Sequence, residues 1–379
     1  SFPAFTICNQ EGGSMKKVML VFGTRPEAIK MCPLVRELQK RAAFQTVVCV
    51  TGQHQQMLAD VLSTFGVAPD YHLSIMKERQ TLFDITVNVL RGMEDILKRE
   101  QPDMVLVQGD TSTTFAAALA CFYCRIPVGH VEAGLRTYQM DSPFPEEFNR
   151  QTVSSIAGLH FAPTRYAADN LLREGCPRER VFVTGNTGID ALRYTVRRDY
   201  AHPVLDWAAD SRLVLMTAHR RESLGEPMKN MFRAVRQVLE EQPGVKIVYP
   251  IHKNPAVRQI ACEILSNHPC IRLTEPLDVM DFHNFMAKSH LILTDSGGIQ
   301  EEAPFLGKPV LVMRNTTERP EGIAAGTLKL VGTEKGEIYR AFTRLLTEKS
   351  AYEAMAHAAS PYGQGYASST IADVLEAQL

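Results

Sequence analysis

The sequence predicts an α/β protein made of two doubly wound halves, each with its own parallel sheet. Two observations predict this class: short apolar strands alternate with helical segments, and one order of strand, polar loop, helix and strand occurs in both halves. A chain of 379 residues with 45% hydrophobic composition is long enough for two cores. Ligands bind at the carboxyl ends of strands in open α/β sheets, so we expect a cleft between the halves.

The first half begins with a strand at residues 18–22 and a second strand at residues 46–50. Pro26 signals the start of the helix between them, and the apolar residues of that helix recur at helical spacing, at Met31, Leu34, Val35 and Leu38. The second half repeats this order after a strand at residues 213–216. Its helix carries the buried stripe Met228, Met231, Phe232, Val235 and Leu239.

A second parallel joins residues 102–136 to residues 289–322. Both segments run through a strand, an acid with small residues, a helix, a strand that begins Ile-Pro-Val or Lys-Pro-Val, and a charged loop. The two halves therefore look related. The boundary between them is expected after the strand at residues 180–186, followed by a helix at residues 187–199.

Basic and acidic residues are nearly equal in number, so the chain has no strong overall electrostatic field. With 41 basic and 42 acidic residues, the net charge is -1, so neither nucleic acid nor an anionic membrane surface is expected as a partner. No apolar run reaches the ~18 residues that span a bilayer, and residues 1–14 lack the pattern of a signal peptide. We expect a cytoplasmic protein that starts at Met15, with residues 1–14 as a leader or a scar of expression.

Metal and redox chemistry find no support in the pattern. The eight cysteines lack the spacing of a disulfide framework or a zinc site, and Cys121 and Cys124 fit a buried core better than a redox pair. No two histidines show metal-ligand spacing beside an acid. A bound metal is therefore not expected. The chain also lacks a P-loop lysine and a G-x-G-x-x-G segment, so neither hydrolysis of a nucleotide triphosphate nor a nicotinamide cofactor is expected.

Polar side chains at predicted strand ends fall into two sets that mix bases and acids. This mixture suits a ligand that carries both phosphates and hydroxyl groups. The first half contributes Arg25, Lys30, Gln53, His54, Asp110, His130, Glu132 and Arg136. The second half contributes His219, Arg220, Arg221, His252, Asp295, Ser296, Glu301, Glu302, Arg314 and Arg319.

Several of these residues have an ordinary structural reading as well. Arg25 and Lys30 suit a phosphate at a helix N-terminus or a solvated first turn. Asp110 fits either general acid-base catalysis or the N-cap of a helix. Glu146 fits either general acid-base catalysis or a helix start, where a negative charge is favourable. Glu132 favours function, because the short connection that carries it has no reason to bury a carboxylate.

The segment TDSGGIQEE (residues 294–302) joins small residues to two glutamates at a helix start. Backbone N–H groups there suit a diphosphate, and one carboxylate suits ribose hydroxyls, so a nucleotide diphosphate-sugar fits both parts. One of the two glutamates would then serve the ribose, and the other would only start the helix. His219 is expected either as a protonated partner of a leaving phosphate or as a neutral base.

Seven segments together resemble the non-hydrolysing UDP-N-acetylglucosamine 2-epimerases of bacteria: FGTRPEAIK, GDTST, GHVEAGLRT, PFPEEFNR, TAHRRES, TDSGGIQEEAP and RNTTERPEG. The resemblance covers residues 15–379. It implies two Rossmann-like domains in the glycosyltransferase-B (GT-B) arrangement, with an interdomain cleft. The implied domains are residues 15–185 with a returning helix at residues 366–379, and a UDP-binding domain at residues 186–365.

The resemblance also implies a reaction without a cofactor. UDP-GlcNAc and UDP-ManNAc are interconverted at C2, by anti elimination of UDP to 2-acetamidoglucal and re-addition. The implied enzyme is a homodimer that supplies ManNAc units for cell-surface polysaccharide and is activated by UDP-GlcNAc at a second site. One departure from the pattern is Gln108, where many relatives carry histidine.

Site residues are implied in three groups. The catalytic group is Asp110, Glu132, Glu146 and His219. The group for UDP and the sugar is Arg25, Lys30, Arg150, Phe282 (near the uracil), Ser296, Gly297, Gly298, Glu302 (at the ribose hydroxyls) and Arg319. This choice leaves Glu301 only to start its helix. The allosteric group is Gln53, His54, Gln56, Arg79, Glu146, Arg220 and His252.

Three other functions fit the same residues. A UDP-sugar glycosyltransferase of the same fold would need an acceptor groove. A hydrolysing epimerase would release free ManNAc. A non-catalytic nucleotide-sugar sensor would not require several separate carboxylates.

Overall fold

The computed structural model describes residues 15–52, 55–75 and 80–379, without the side chains of residues 55–57 and 221. The predictions for residues 1–14, Gln53, His54 and Arg79 lie outside this part of the chain. So does the prediction for the side chain of Gln56, although its backbone belongs to a helix.

Two parallel sheets form the described chain, one from each half. The first sheet has the strand order β3-β2-β1-β4-β5-β6-β7 and the second has the order β10-β9-β8-β11-β12-β13. Both orders are those of doubly wound sheets, so the predicted fold class is confirmed. The strands are β1 Lys16–Phe22, β2 Phe44–Val50, β3 Tyr71–His72, β4 Met104–Gln108, β5 Val128–Val131, β6 Leu159–Ala162, β7 Val181–Val183, β8 Arg212–Thr217, β9 Val245–Pro250, β10 Ile271–Thr274, β11 Leu291–Thr294, β12 Val310–Val312 and β13 Leu328–Leu330.

Helices follow nearly every strand and cover the sheets. They are α1 Arg25–Gln39, α2 Gln55–Phe65, α3 Leu82–Glu100, α4 Ser112–Tyr123, α5 Glu146–Ile156, α6 Arg165–Arg173, α7 Thr187–Thr195, α8 Pro203–Trp207, α9 Glu226–Glu241, α10 Pro255–Leu265, α11 Val279–Lys288, α12 Ile299–Phe305, α13 Pro320–Ala324, α14 Lys335–Thr347, α15 Lys349–Ala356 and α16 Ala367–Gln378. Helix α7 ends four residues before the end predicted at residue 199. Among the described residues, no helix combines the length and apolar character needed to cross a bilayer.

Helix α1 begins where its sequence predicts. Thr24 caps it in a capping box with Glu27, and Pro26 occupies the first turn, where its missing N–H costs nothing. The predicted stripe of α1 and the equivalent stripe of α9 are both buried against their sheets. Each half therefore has the core that its periodicity predicts.

Helix α16, the last of the chain, packs in the core of the first sheet. Ile371, Ala372 and Leu375 are fully buried in the cluster that holds the apolar side chains of β1 and α1. Asp190 of α7 caps this helix by accepting from the backbone N–H of Ala367 (3.1 Å) and of Ser368 (2.6 Å). The chain end thus stabilises the half in which the chain begins.

Leu375→Ala is expected to lower the free energy of unfolding by about 2–5 kcal/mol, because it removes a buried side chain and leaves a cavity between α16 and α1. Urea unfolding followed by circular dichroism measures the change. Gln378→Ala on the exposed face of the same helix is the control and is expected to leave stability unchanged. Equal stability of the two variants would contradict the packing described for α16.

Candidate active site

A cavity of about 890 Å³ lies between the two halves and is lined by the loops at the carboxyl ends of both sheets. This is the predicted cleft, and its volume is in the range of ligand pockets. The lining includes every implied site residue whose structure is fully described: Arg25, Lys30, Asp110, Glu132, Glu146, Arg150, His219, Arg220, His252, Phe282, Ser296, Gly297, Gly298, Glu302 and Arg319.

In the first half, two described residues expected at the cleft do not line it. His130 is fully buried within the first sheet, where its Nε2 lies 2.7 Å from the carbonyl of Gly109. Arg136 turns away and donates to both carboxylate oxygens of Glu174. His130 lies in β5 and Arg136 lies in the loop that follows it, and neighbouring groups inside the first half hold both side chains.

Glu132 is buried and held in the left-handed backbone region, at φ 64°. The Lys30 ammonium donates to its Oε2 at 2.5 Å, the Gln108 amide donates to the same oxygen, and Arg319 Nη2 lies 3.8 Å from its Oε1. Non-glycine residues rarely adopt this backbone conformation without a functional reason. Strain and burial of a carboxylate at one position therefore support the functional interpretation of Glu132.

Lys30 was expected to address a phosphate, but it pairs with Glu132 here. Burial by itself lowers the pKa of Lys30, whereas the nearby Glu132 and Glu301 raise it, and the net direction is upward. The ammonium is therefore charged at neutral pH. It neutralises part of the negative charge on the first-half wall of the cleft.

Asp110 is not a helix cap. Thr111 caps α4 instead, since its hydroxyl accepts from the backbone N–H of Thr114 at 3.1 Å. The Asp110 carboxylate faces the cavity and lies 2.9 Å from Arg150 Nη2. Burial raises its pKa to about 6, although Arg150 favours the charged form. A carboxyl group poised this close to neutral pH suits proton transfer.

The two glutamates at the start of α5 have different environments. Glu147 is fully buried and accepts from the backbone N–H groups of Thr137 (3.0 Å) and Tyr138 (2.9 Å), so it holds a loop. Glu146 lines the cavity near Asp110. Only Glu146 is therefore placed to act on a ligand.

Glu27 also lines the cavity and was missed by the sequence reasoning. Its Oε2 accepts from the backbone N–H of Gly23 (2.9 Å) and of Thr24 (2.7 Å), and its Oε1 accepts from the hydroxyls of Thr111 and Thr114. It ties the start of α1 to the start of α4. The T-x-x-E spacing of a capping box signals the first contact, whereas nothing in the spacing signals the second.

On the opposite wall, Arg319 is surrounded by carboxylates. Its guanidinium donates to Glu301 and Glu318, and both of these side chains are buried. Glu301 also accepts from Asn186, so it is not merely a helix-starting acid, and that expectation was wrong. A Cβ on Gly297 would lie 2.8 Å from Arg319 Nη1, so only glycine fits beside this guanidinium.

Glu302 faces the cavity beside these groups. Burial, together with the neighbouring Glu301 and Glu132, raises its pKa to about 7 against the pull of Lys30. Arg25 reaches across the cleft and donates to the carbonyl of Leu277 at 2.8 Å. Ser296, Gly297 and Gly298 lead into α12 directly after β11, which leaves an open path for a ligand to the helix start.

His219 is oriented by Asp295 at the end of β11. One Asp295 oxygen accepts from the backbone N–H of His219 (2.6 Å) and of Arg220 (2.8 Å), and the other lies 3.2 Å from His219 Nδ1. The His252 ring stacks on the His219 ring at 5.4 Å between centroids. His219 thus presents its Nε2 edge with a carboxylate behind the ring, the usual arrangement of a histidine that donates to an anion.

In the part of the chain that the structure describes, no group of three or more His, Cys, Asp or Glu side chains could hold a metal ion. The first-half wall of the cavity carries Asp110, Glu132 and Glu146, and the second-half wall carries His219, Arg319 and the small-residue loop beside Glu302. This arrangement can hold an anionic group on one wall and move protons at a neighbouring carbon on the other.

Comparisons with known proteins agree with this arrangement. A family model described as UDP-N-acetylglucosamine 2-epimerase matches residues 36–376. A Bacillus subtilis protein named UDP-N-acetylglucosamine 2-epimerase is 58% identical over 359 residues, which cover 95% of this chain and 94% of the relative.

Two solved structures share the fold. The S. aureus MnaA-UDP co-structure has a TM-score of 0.91 at 55% identity and covers 96% of each chain. The Neisseria meningitidis UDP-GlcNAc 2-epimerase bound to UDP-GlcNAc has a TM-score of 0.90 at 49% identity, and covers 95% of this chain and 100% of that one. The two sheets therefore adopt the GT-B arrangement expected from the sequence.

Proposed function

Because this chain belongs to the UDP-N-acetylglucosamine 2-epimerase family, we propose that it interconverts UDP-GlcNAc and UDP-ManNAc as a non-hydrolysing isomerase. The observation that carries this proposal is the divided cleft. Asp110, Glu132 and Glu146 lie on its N-terminal wall, and His219, Arg319 and the Ser-Gly-Gly loop lie on the other. Carboxylates suit the sugar, and cations with N–H donors suit the diphosphate.

The reaction proceeds by elimination and re-addition. A C2 proton without an adjacent carbonyl is not acidic, so cleavage of the C1–O bond runs ahead and places positive charge at C1. A carboxylate then removes the C2 proton, UDP leaves with the electron pair of the C1–O bond, and 2-acetamidoglucal forms. Re-addition of UDP at C1, with a proton delivered to the opposite face of C2, gives the epimer.

Asp110 fits a proton acceptor in this scheme. A carboxyl group with a pKa of about 6 is mostly ionised at pH 7–8, so it accepts a proton without a large cost. Glu132 receives the Lys30 ammonium and the Gln108 amide, which favours a carboxylate that stabilises positive charge at C1. Glu146 stands near Asp110 as a partner for proton delivery on the other face.

The nucleotide is proposed to lie on the C-terminal wall. His219, Arg25 and Arg319 neighbour the diphosphate with Ser296, Gly297 and Gly298, Phe282 lies against the uracil, and Glu302 accepts from the ribose. Arg150 holds Asp110 at the sugar. Since Lys30 is bonded to Glu132, its contribution to substrate binding is proposed to act through that carboxylate.

Product analysis tests the proposal. Incubation with UDP-GlcNAc is expected to give UDP-ManNAc with no loss of total nucleotide-sugar, as measured by anion-exchange chromatography. Free ManNAc with UDP would instead support a hydrolysing epimerase. Unchanged UDP-GlcNAc would contradict both epimerase functions.

We also propose that UDP-GlcNAc activates the enzyme from a second site in the same cleft. Glu146, Arg220 and His252 line the cavity, and the other residues of this group, Gln53, His54, Gln56 and Arg79, lie outside the described side chains. Both α5 and the loop after β9 line the cavity, and their contribution supports a second binding position there.

Activation by UDP-GlcNAc predicts slow initial turnover when UDP-ManNAc is the sole substrate. UDP-ManNAc alone is expected to react slowly, and a small amount of added UDP-GlcNAc is expected to restore the full rate. Initial rates by a coupled assay measure this effect, with UDP-glucose as the control additive. Full epimerisation from UDP-ManNAc alone would contradict activation.

We propose that the chain has two domains, residues 15–185 with 366–379 and residues 186–365. We also propose that the protein is a cytoplasmic homodimer. The product is proposed to supply ManNAc units for cell-surface polysaccharide. Size-exclusion chromatography with light scattering tests the dimer.

A further inference from the structure

His283 is a buried histidine at the cleft that the catalytic scheme does not use. It lies on α11, is 2% exposed, and lines the cavity on the nucleotide side. Its Nδ1 lies 2.7 Å from the hydroxyl of Thr195, and that hydroxyl lies 3.0 Å from the carbonyl of Ala191. When one nitrogen of a buried neutral ring is held in this way, the hydrogen-bonding role of the other nitrogen follows from it.

The contacts of Thr195 determine which nitrogen of His283 carries the proton. A hydroxyl has one hydrogen, and the Ala191 carbonyl can only accept it. The Thr195 oxygen must therefore accept from His283, so the ring proton sits on Nδ1. Nε2 then carries a lone pair and acts as an acceptor.

The neutral form of His283 is strongly favoured. Burial lowers its pKa to about 3, and the charge of Arg25 acts in the same direction. The facing acid is Glu302, whose Oε2 lies 3.8 Å from His283 Nε2, beyond hydrogen-bond distance. Two acceptors therefore stand side by side at the cavity when Glu302 is ionised.

We propose that His283 Nε2 and the Glu302 carboxylate form an acceptor pair that reads both hydroxyls of a vicinal ribose diol, one hydroxyl on each. This inference rests on the proposed function, since it places the nucleotide on this wall. A vicinal diol supplies two neighbouring O–H donors, and the two acceptors accept them at once. The site thereby selects ribonucleotides over 2′-deoxy and 3′-deoxy nucleotides, and Glu302 is not the only reader of the ribose.

Calorimetric titration with UDP, 2′-deoxy-UDP and 3′-deoxy-UDP tests the acceptor pair. The wild-type protein is expected to prefer UDP over both analogues. His283→Asn keeps a side-chain amide near the Nδ1 position but removes the Nε2 acceptor. It is expected to bind UDP about tenfold more weakly and to lose discrimination against one deoxy analogue while keeping discrimination against the other.

Two further variants separate recognition from packing. His283→Gln places an amide oxygen near the Nε2 position and is expected to restore discrimination. Thr195→Val removes the acceptor that fixes the ring proton on Nδ1, so Nε2 can become a donor, and the same discrimination is expected to fall. Thr195 lies outside the cavity lining, so a change in analogue preference there reports the ring and not a direct contact.

The ratios of UDP affinity to deoxy-UDP affinity decide whether His283 and Glu302 form the acceptor pair. Unchanged ratios of UDP to both deoxy analogues in His283→Asn would overturn it, as would a wild-type protein without ribose preference. If His283→Asn fails to fold, unchanged ratios in Thr195→Val overturn it instead. A wild-type protein that shows the predicted ratios but does not epimerise UDP-GlcNAc would sink the proposed function and leave the acceptor pair standing.

Discussion

Asp110→Asn is expected to lower kcat for epimerisation by about 10²–10⁴-fold, because asparagine keeps the size of the side chain but cannot accept or deliver a proton. The Arg150 guanidinium and the cavity wall remain in place, so thermal unfolding is expected to change little. Initial rates with saturating UDP-GlcNAc measure the effect. Asp141→Asn, on an exposed loop, is the matched control and is expected to keep the wild-type rate.

The pH profile gives an independent check on Asp110. Its pKa of about 6 means that the carboxylate becomes protonated as the pH falls through 6. If the carboxylate accepts the proton, kcat/KM falls as the pH is lowered through 6, and Asp110→Asn lacks this fall. A wild-type profile that is flat from pH 5 to 8, or a variant with wild-type turnover, would refute this role.

Arg319→Met is expected to lower the free energy of unfolding by about 3–5 kcal/mol, because it leaves buried carboxylates without their cation. Glu301 and Glu318 both accept from this guanidinium, and Glu132 lies 3.8 Å away. These carboxylates together raise the pKa of Arg319, although burial alone lowers it. Urea unfolding at pH 7 measures the loss, and calorimetry is expected to show weaker UDP binding.

The matched control is Arg340→Met. Arg340 pairs with Glu337 on an exposed face of α14, where water screens both charges, so its removal is expected to matter little. Equal stability of the two variants would show that the buried network does not depend on Arg319.

Local patterns predicted the fold well. The stripe on α1 and the order of strands and helices follow from periodicity and caps, which act within a few residues. The cleft followed from the rule for open sheets, and the described site residues line it. The end of α7 was misplaced, because the residues after Thr195 retain helix-forming character although the backbone turns away.

The pairing of charges could not be predicted in the same way. Lys30 was expected at a phosphate or in a solvated first turn, and Glu301 was expected only to start its helix. Instead, Lys30 pairs with Glu132, and Glu301 accepts from Arg319 and Asn186. These partners lie up to 115 positions apart in the chain. Spacing in one segment carries no information on which charge in another segment will be its neighbour.

The most direct test of the account follows C2 of the sugar by NMR during incubation with UDP-GlcNAc in heavy water. Proton removal and re-addition predict deuterium at C2 as UDP-ManNAc appears, and predict that Asp110→Asn slows exchange and epimerisation together. If UDP-ManNAc forms in heavy water but keeps its original proton at C2, elimination and re-addition are contradicted. The proposed role of Asp110, Glu132 and Glu146 is then contradicted as well.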